Sequence, residues 1–207
     1  MSNLTQRIAF GLPLAFLVLA ALYFGEWYWL VLLILTGVLM SFEWTKLVQL
    51  KAWKATGIAL GLTIFSALQL SFFYNANQAF LISFGLAILS VIAGALAHQR
   101  ALKMFGYGLL YIFVPLSSLL WLRNSTGDTG LIITIWLVLI IWFTDIFAYF
   151  TGKTLGGPKI FPKVSPKKTW SGFIGGLIGA GIASFLVQSY FNIPEFAWRL
   201  IALALFV

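Results

Sequence analysis

Acidic side chains are the scarcest reactive groups in this sequence. The 207 residues include five Asp and Glu, one His and no Cys. Cysteine nucleophiles, thiolate metal sites and disulfides are therefore excluded, and a metal or acid–base site has to draw on five carboxylates. Asp145 is the most informative, because it lies in the apolar run IIWFTDIFAYF, where an unpaired charge is costly to bury. We interpret it as a ligand for a metal ion that positions a phosphate-bearing substrate; an ion pair with a loop lysine is the structural alternative.

A basic loop follows this run. Residues 151–171 contain five lysines, three prolines and three glycines but no acid. Lysine ammonium groups act as point charges for phosphates, and glycines let backbone N–H groups approach them. Tyr149 lies one helical turn after Asp145 and shares its face. The loop has no G-x-x-x-x-G-K-[ST] string, so it is not a Walker phosphate loop. The pattern favours binding of a polyanion next to Asp145.

The elements that position these residues are apolar helices. Hydrophobic residues make up 61% of the chain and charged residues 9%, with a mean hydropathy of +1.00. Soluble domains carry about 25% charged residues, so a soluble fold is excluded. We predict an all-α fold, a polytopic transmembrane helical bundle with about seven spans and a partial eighth that begins near residue 196. The predicted spans are 8–25, 27–42, 56–74, 78–97, 104–122, 130–150 and 172–191.

The predicted bundle forms a single integral membrane domain, 1–207. Within it, 1–125 holds the N-terminal spans and 126–207 is the start of the catalytic region. Glycines of the seventh span recur at small-xxx-small spacing, which predicts close packing against a neighbouring helix. They are Gly172, Gly175, Gly176 and Gly179.

Basic residues define the predicted orientation. All of them except Arg123 and Arg199 flank the same ends of the predicted spans. Short loops rich in Lys and Arg stay on the cytoplasmic side of a membrane. The N-terminus and the 151–171 loop are therefore predicted to face the cytoplasm. The net charge of +8 follows from this topology and does not indicate nucleic-acid binding.

The residues around Asp145 resemble a known family. The pattern is Asp145-x-x-Ala148-Tyr149-x-x-Gly152-x-x-x-Gly156, followed by Ser165-Pro166-Lys167-Lys168-Thr169-Trp170-x-Gly172-x-x-Gly175-Gly176. In order and spacing over 145–176 it is similar to the bacterial phosphatidate cytidylyltransferase (CDP-diacylglycerol synthase) family. The resemblance implies a multi-pass enzyme of the bacterial inner (cell) membrane. Such an enzyme transfers the cytidylyl group of CTP to phosphatidic acid in phospholipid biosynthesis, giving CDP-diacylglycerol and pyrophosphate with magnesium (Mg2+).

The resemblance, taken with the polyanion pattern, implies the site residues. The catalytic candidates are Asp145, Lys167 and Lys168, with Asp145 also the metal ligand. The substrate-binding candidates are Tyr149, Lys153, Lys163, Ser165, Thr169 and Trp170. The implied partners are CTP and phosphatidic acid as substrates and the lipid bilayer, with no nucleic acid. A homodimer is one oligomeric state consistent with the sequence.

Two departures from the family pattern bear on these expectations. Position 171 is Ser, where the family often has Glu. The family's later signature, Lys-Asp and His-Gly-Gly followed by Asp-Arg-x-Asp, does not occur in the 207 residues, so we expect a C-terminally truncated member. Two alternatives stay open: a CTP-dependent lipid kinase of the polyprenol type, and an inactive truncated membrane protein without catalysis.

Overall fold

The computed structural model describes residues 3–73, 76–96, 98–124, 128–163 and 165–191. These ranges form helices and one small sheet. The helices are α1 (Asn3–Phe24), α2 (Glu26–Leu47), α3 (Trp53–Phe73), α4 (Ala76–Leu96), α5 (Arg100–Asn124), α6 (Asp128–Thr154) and α7 (Trp170–Phe191). The strands are β1 (Lys159–Phe161) and β2 (Ser165–Thr169), which lie between α6 and α7.

The helices confirm the predicted all-α polytopic architecture. By length and composition, α2, α3, α5, α6 and α7 are long and apolar enough to cross a membrane. Shorter apolar stretches, Ala9–Phe24 and Leu81–Ala93, lie within α1 and α4. Each of the seven predicted spans therefore corresponds to a helix. The predicted eighth span, near residue 196, lies outside the described residues.

Several helices extend beyond their predicted bounds, and α2 and α6 do so most at their C-terminal ends. The second span was predicted to end at residue 42, but α2 continues through the polar residues Glu43 and Lys46 to Leu47. The sixth was predicted to end at residue 150, but α6 continues to Thr154. Apolar runs mark only the hydrocarbon-facing part of a helix, whereas the backbone hydrogen bonds continue into the polar interface, where long charged side chains reach water.

A β-hairpin inside the basic loop was not predicted. Its strands pair antiparallel, with Lys159 opposite Thr169 and Phe161 opposite Ser165. The hairpin adds a small sheet to the seven helices of the described residues. An isolated two-stranded hairpin is marginally stable in water, so its attachment to the helices determines its position.

The chain divides into two compact units, residues 1–131 and 132–207. In the first, most of the buried core is made by apolar side chains of α2, α3 and α5. Fully buried examples are Leu30, Leu60, Ile64, Leu68, Leu109 and Ile112. Hydrogen bonds from side chains to backbone carbonyls connect the helix ends. Arg123 Nε donates to the Leu22 carbonyl at 2.8 Å, and Trp44 Nε1 donates to the Met104 carbonyl at 2.9 Å.

The second unit contains the antiparallel pair α6 and α7. Its core comprises Trp136 and Ile140 of α6 with Ala180, Ala183 and Val187 of α7. Inside this core, Trp136 Nε1 donates a 3.0 Å hydrogen bond to Ser184 Oγ. The hydrogen bond satisfies both buried polar groups and aligns the two helices at the ends distant from the hairpin. The predicted division at residue 126 stays a prediction.

Candidate active site

A glycine-lined face brings the start of α7 close to the end of α6. A Cβ atom placed on Gly172 would lie 3.0 Å from the Ala148 carbonyl oxygen. One placed on Gly179 would lie 2.6 Å from the Phe143 carbonyl oxygen. The predicted close packing of the seventh span is therefore confirmed. Because the backbones nearly touch, α6 and α7 form a rigid base for the loop that joins them.

Asp145, Tyr149 and Lys153 lie on the other face of α6. They recur every four residues, so they share one face, and all three side chains are exposed. The α6 residues that contact α7, such as Phe143 and Ala148, are on the opposite side. Lys153 Nζ lies 5.6 Å from the centroid of the Tyr149 ring, a cation–π distance. The face thus presents a carboxylate, an aromatic ring and an ammonium group in a row.

The structure gives no support to the alternative role of Asp145, an ion pair with a loop lysine. Within the described ranges, no ion pair connects Asp145 to a loop lysine. No group of three or more His, Asp or Glu side chains comes together among the described residues either. A single exposed carboxylate suits Mg2+, which keeps several waters and takes one or two carboxylates together with substrate phosphates. The carboxylate of Asp145 is thus of a kind that Mg2+ can bind, and the magnesium site stays a prediction.

Three backbone and hydroxyl contacts attach the hairpin to the helices. Thr169, which is only 4% exposed, caps α7: the Gly172 N–H donates to Thr169 Oγ1 at 3.1 Å. Ser171 Oγ donates to the Gly156 carbonyl just after α6. The Trp170 N–H donates to the Pro158 carbonyl at 3.1 Å. These contacts hold the ends of α6 and α7 and the base of the hairpin together.

The turn at the end of α6 needs glycine. Gly156 and Gly157 have φ values of +61° and +103°, in the left-handed region that residues with a Cβ atom disfavour. This turn ends α6 and directs the chain into β1. The two glycines thus have a structural role, since they set the direction in which the chain leaves α6.

Lys167 and Lys168 lie in a β-bulge. The register shifts between Lys159 and Phe161, so that three residues of β2, Pro166 to Lys168, oppose the single residue Ile160 of β1. All three are exposed, without the alternation expected of a regular strand. Proline cannot donate a ladder hydrogen bond, which favours a bulge at this point. Both lysines are exposed at this irregularity, so two consecutive residues of β2 carry accessible positive charges.

The remaining predicted residues occupy different parts of the loop. Lys163 is exposed in the turn of the hairpin, and Ser165 is half-buried opposite Phe161. Trp170 is 49% exposed and contacts Phe173 edge-on, with ring centroids 5.9 Å apart. Asp145, Tyr149 and Lys153 thus share the α6 face, whereas Lys163, Lys167 and Lys168 project from the hairpin. No ion pair joins Asp145 to the bulge lysines within the described part of the chain.

Sequence reasoning missed the positioning role of two hydroxyls. Thr169 was assigned to substrate binding, yet its hydroxyl is buried and caps α7. Ser171 was noted only as a departure from the family pattern, yet it connects α7 to the end of α6. The preference of Thr for N-cap positions before an apolar run is the signal that could have identified Thr169. Nothing in the sequence points to the Ser171 contact, which depends on how the helices approach.

Comparison with known proteins is consistent with this geometry. The profile described as "Cytidylyltransferase family" matches residues 5–207. The chain belongs to this family. Among its relatives, the phosphatidate cytidylyltransferase of Brucella abortus is 34% identical over 216 residues, covering 99% of this chain and 74% of the relative. That of Haemophilus influenzae is 32% identical over 213 residues, covering 91% of this chain and 74% of the relative.

The match to a further cytidylyltransferase is shorter. The phosphatidate cytidylyltransferase of Rickettsia bellii is 45% identical over 89 residues, covering 43% of this chain and 36% of the relative. The chain thus spans about a third of that relative and about three quarters of the other two. The predicted family is confirmed. Together with the apolar helices, these similarities indicate a multi-pass membrane protein.

Proposed function

We propose that this chain transfers the cytidylyl group of CTP to phosphatidic acid, giving CDP-diacylglycerol and pyrophosphate for phospholipid biosynthesis. The observation that carries the proposal is the exposed lysine pair of the hairpin, whose base is held by the hydrogen bond from Ser171 Oγ to the Gly156 carbonyl, two residues after the helix that bears Asp145. Asp145 precedes the end of α6 by nine residues, about 14 Å of helix. The site therefore extends from within the apolar helix to the water-exposed loop, as a reaction between a lipid and a nucleotide requires.

The reaction joins two anions. A phosphate oxygen of phosphatidic acid forms a bond to the α-phosphorus of CTP, and the bond from that phosphorus to the β-phosphate oxygen breaks, releasing pyrophosphate. Repulsion between the reactants has to be reduced, so charge neutralisation is the main catalytic contribution. Lys167 and Lys168, with Lys153 and Lys163, provide four exposed positive charges for this. Tyr149 and Trp170 provide exposed aromatic surfaces on which a cytosine ring can stack.

Asp145 is proposed to hold Mg2+. The ion would also bind phosphate oxygens of CTP and water, and it would supply further neutralisation of the developing charge. Thr169 and Ser171 position the hairpin, because their hydroxyls form hydrogen bonds within the protein. Ser165, half-buried on β2, is proposed to contact substrate through its hydroxyl beside the bulge.

The proposed location is the bacterial inner membrane, with the N-terminus and the hairpin in the cytoplasm, where CTP is available. The distribution of Lys and Arg supports this orientation. A homodimer stays a prediction.

The position of the transferred label tests the proposed reaction. Membranes containing the chain are given phosphatidic acid, Mg2+ and CTP labelled at either the α- or the γ-phosphate. We expect α-label alone in the lipid fraction. A γ-label in an extracted lipid would instead identify a CTP-dependent lipid kinase. Absence of both labels, together with absence of CTP binding, would support the non-catalytic alternative.

Asp145→Asn provides the site-directed test. Removing one preorganised charge at a phosphoryl-transfer site is expected to lower the labelling rate by about a hundred-fold or more. Asp128→Asn is the matched control, because Asp128 is an exposed acid at the opposite end of the same helix. Equal rates for the two variants would remove Asp145 from the site.

A further inference from the structure

Phe161 is an exposed aromatic residue that neither the helix pair nor the proposed chemistry explains. Its side chain is 64% exposed, whereas Ile160 beside it is partly buried. Side chains alternate between the two faces of a strand, so β1 presents Lys159 and Phe161 on one face and Ile160 on the other. Since Ile160 occupies the inner face, Phe161 needs a different apolar environment to be removed from water.

The hairpin is joined directly to α7 and by four residues to α6. β2 ends at Thr169 and α7 begins at Trp170, with no residue between them. Both α6 and α7 are apolar enough to cross a membrane. The hairpin itself cannot enter the hydrocarbon core, because its outer strand edges carry unpaired backbone groups. A three-residue strand extends about 10 Å and the headgroup layer is roughly 5–8 Å thick on each side, so a hairpin that lies along the surface brings Phe161 to that layer.

The charge around Phe161 matches an anionic leaflet. Lys159 and Lys163 flank it, and the sequence has no acid from residue 146 to residue 194. Anionic lipid surfaces attract basic segments that lie within a few ångströms of them. An aromatic side chain between lysines is the composition of segments that bind at the membrane interface. The exposure of Phe161, the length of β1 and the positive charge around it all favour the anionic membrane leaflet as the partner of this strand.

We propose that β1 is a membrane-docking element: Phe161 inserts at the boundary between headgroups and acyl chains, and Lys159 contacts anionic headgroups of the same leaflet. Docking would hold the hairpin lysines at the depth of a lipid phosphate. That consequence rests on the proposed function, whereas the docking itself does not require CTP or turnover.

A single fluorescent probe tests the docking. The chain has no cysteine, so Pro162→Cys, in the exposed turn beside Phe161, gives a unique attachment site that keeps Phe161 in place. The labelled full chain is placed in nanodiscs of phosphatidylcholine alone or mixed with phosphatidylglycerol. Quenching by lipids that carry a nitroxide near the headgroup reports the probe's distance from the leaflet. The control probe is attached through Gln99→Cys, at an exposed loop residue between α4 and α5.

We expect quenching at position 162 to reach that at position 99, which a three-residue loop between two helices holds at the membrane surface, and to be larger in the phosphatidylglycerol mixture. Phe161→Ser should reduce quenching in both compositions, because the apolar contact is lost. Lys159→Gln should remove only the increase caused by phosphatidylglycerol. Quenching at 162 far below that at 99, or unchanged by Phe161→Ser, would overturn the proposal.

Turnover is measured separately in detergent micelles with short-chain phosphatidic acid, where no leaflet exists. Phe161→Ser and Lys159→Gln are expected to keep the parent rate there. Loss of probe quenching together with normal detergent turnover would reject docking alone. Normal quenching without turnover in the parent chain would reject the proposed function alone.

Discussion

Thr169 connects the basic hairpin to α7 through one hydroxyl group. Its Oγ1 accepts a hydrogen bond from the Gly172 N–H and lies 3.1 Å from Ser171 Oγ. The residue is buried, so water cannot replace these contacts. The hydroxyl therefore stabilises the start of α7 and the strand that carries the two bulge lysines.

Replacing this hydroxyl with a methyl group gives a prediction at the residue scale. Thr169→Val keeps the shape of the side chain but leaves the buried Gly172 N–H without its acceptor. We expect a loss of about 1 kcal/mol in the free energy of unfolding, which corresponds to a fall in Tm of roughly 2–4 °C in a chain of this size. Thermal unfolding in detergent measures it. Thr169→Ser is the control that retains the cap, and equal Tm values for the two variants would contradict the capping role.

At the scale of elements, the α6–α7 pair depends on contacts to backbone atoms. A Cβ atom on Gly179 would meet the Phe143 carbonyl oxygen, and a carbonyl fixed in a helix cannot rotate away. Gly181 lies on the same helix, but a Cβ atom there would meet nothing within 4 Å. The two glycines therefore separate the effect of helix contact from that of helix propensity.

Gly179→Ala is expected to destabilise the protein by about 1–3 kcal/mol through overpacking. Gly181→Ala is expected to be neutral or slightly stabilising, since Ala favours the helix relative to Gly. Unfolding by heat or denaturant in detergent compares the two variants. Similar losses from both would mean that close approach of α6 and α7 is not what Gly179 provides.

The bulge in β2 supports a second prediction at this scale. Lys167→Gln combined with Lys168→Gln removes the two adjacent ammonium groups without changing the backbone that supports them. We expect CTP affinity to fall about ten-fold or more, because hydrogen bonds to charged groups contribute about 1.5–3 kcal/mol each. Equilibrium binding of labelled CTP with Mg2+ measures the change.

The control for the bulge lysines is the pair Lys51→Gln and Lys54→Gln, which removes two exposed charges near the start of α3. It lowers the net charge by the same amount. If this pair reduced CTP affinity equally, the bulge lysines would act through general charge and would not form a binding site.

At the scale of the whole molecule, membrane topology determines which loops meet CTP. The basic residues predict that the 151–171 loop and the α4–α5 loop are cytoplasmic and that the start of α6 is on the opposite side. One exposed residue is available in each segment: Gln99 in the α4–α5 loop, Asp128 at the start of α6 and Lys163 in the 151–171 loop. Because the chain has no cysteine, each gives a unique reactive site when substituted.

We expect a membrane-impermeant maleimide to label Asp128→Cys in intact spheroplasts. Gln99→Cys and Lys163→Cys should react only after the membrane is permeabilised. The parent chain, which should not react, is the control. Labelling of Lys163→Cys in intact spheroplasts would place the hairpin outside the cytoplasm and contradict both the orientation and access to CTP.

The sequence by itself determined the helices and the family. Long apolar runs leave a backbone in lipid no alternative to helix, so all seven described helices were predictable, as was the glycine contact of α7. Asp145 and the lysines were recognisable because charged groups are rare among these apolar residues. Helix ends were less predictable. Both α2 and α6 continue past their apolar runs, because helical backbone hydrogen bonds also form between polar residues.

Only the tertiary structure decided the form of the basic loop. Five lysines and three prolines do not alternate as a strand does, so the hairpin and its bulge could not be inferred from the pattern. Thr169 was predicted to bind substrate, but its burial against the α6–α7 pair makes its hydroxyl a helix cap. The contact between Ser171 and the Gly156 carbonyl likewise exists only because two helices approach closely. Such roles depend on distances between residues far apart in the chain, and residue type and spacing along the sequence do not contain those distances.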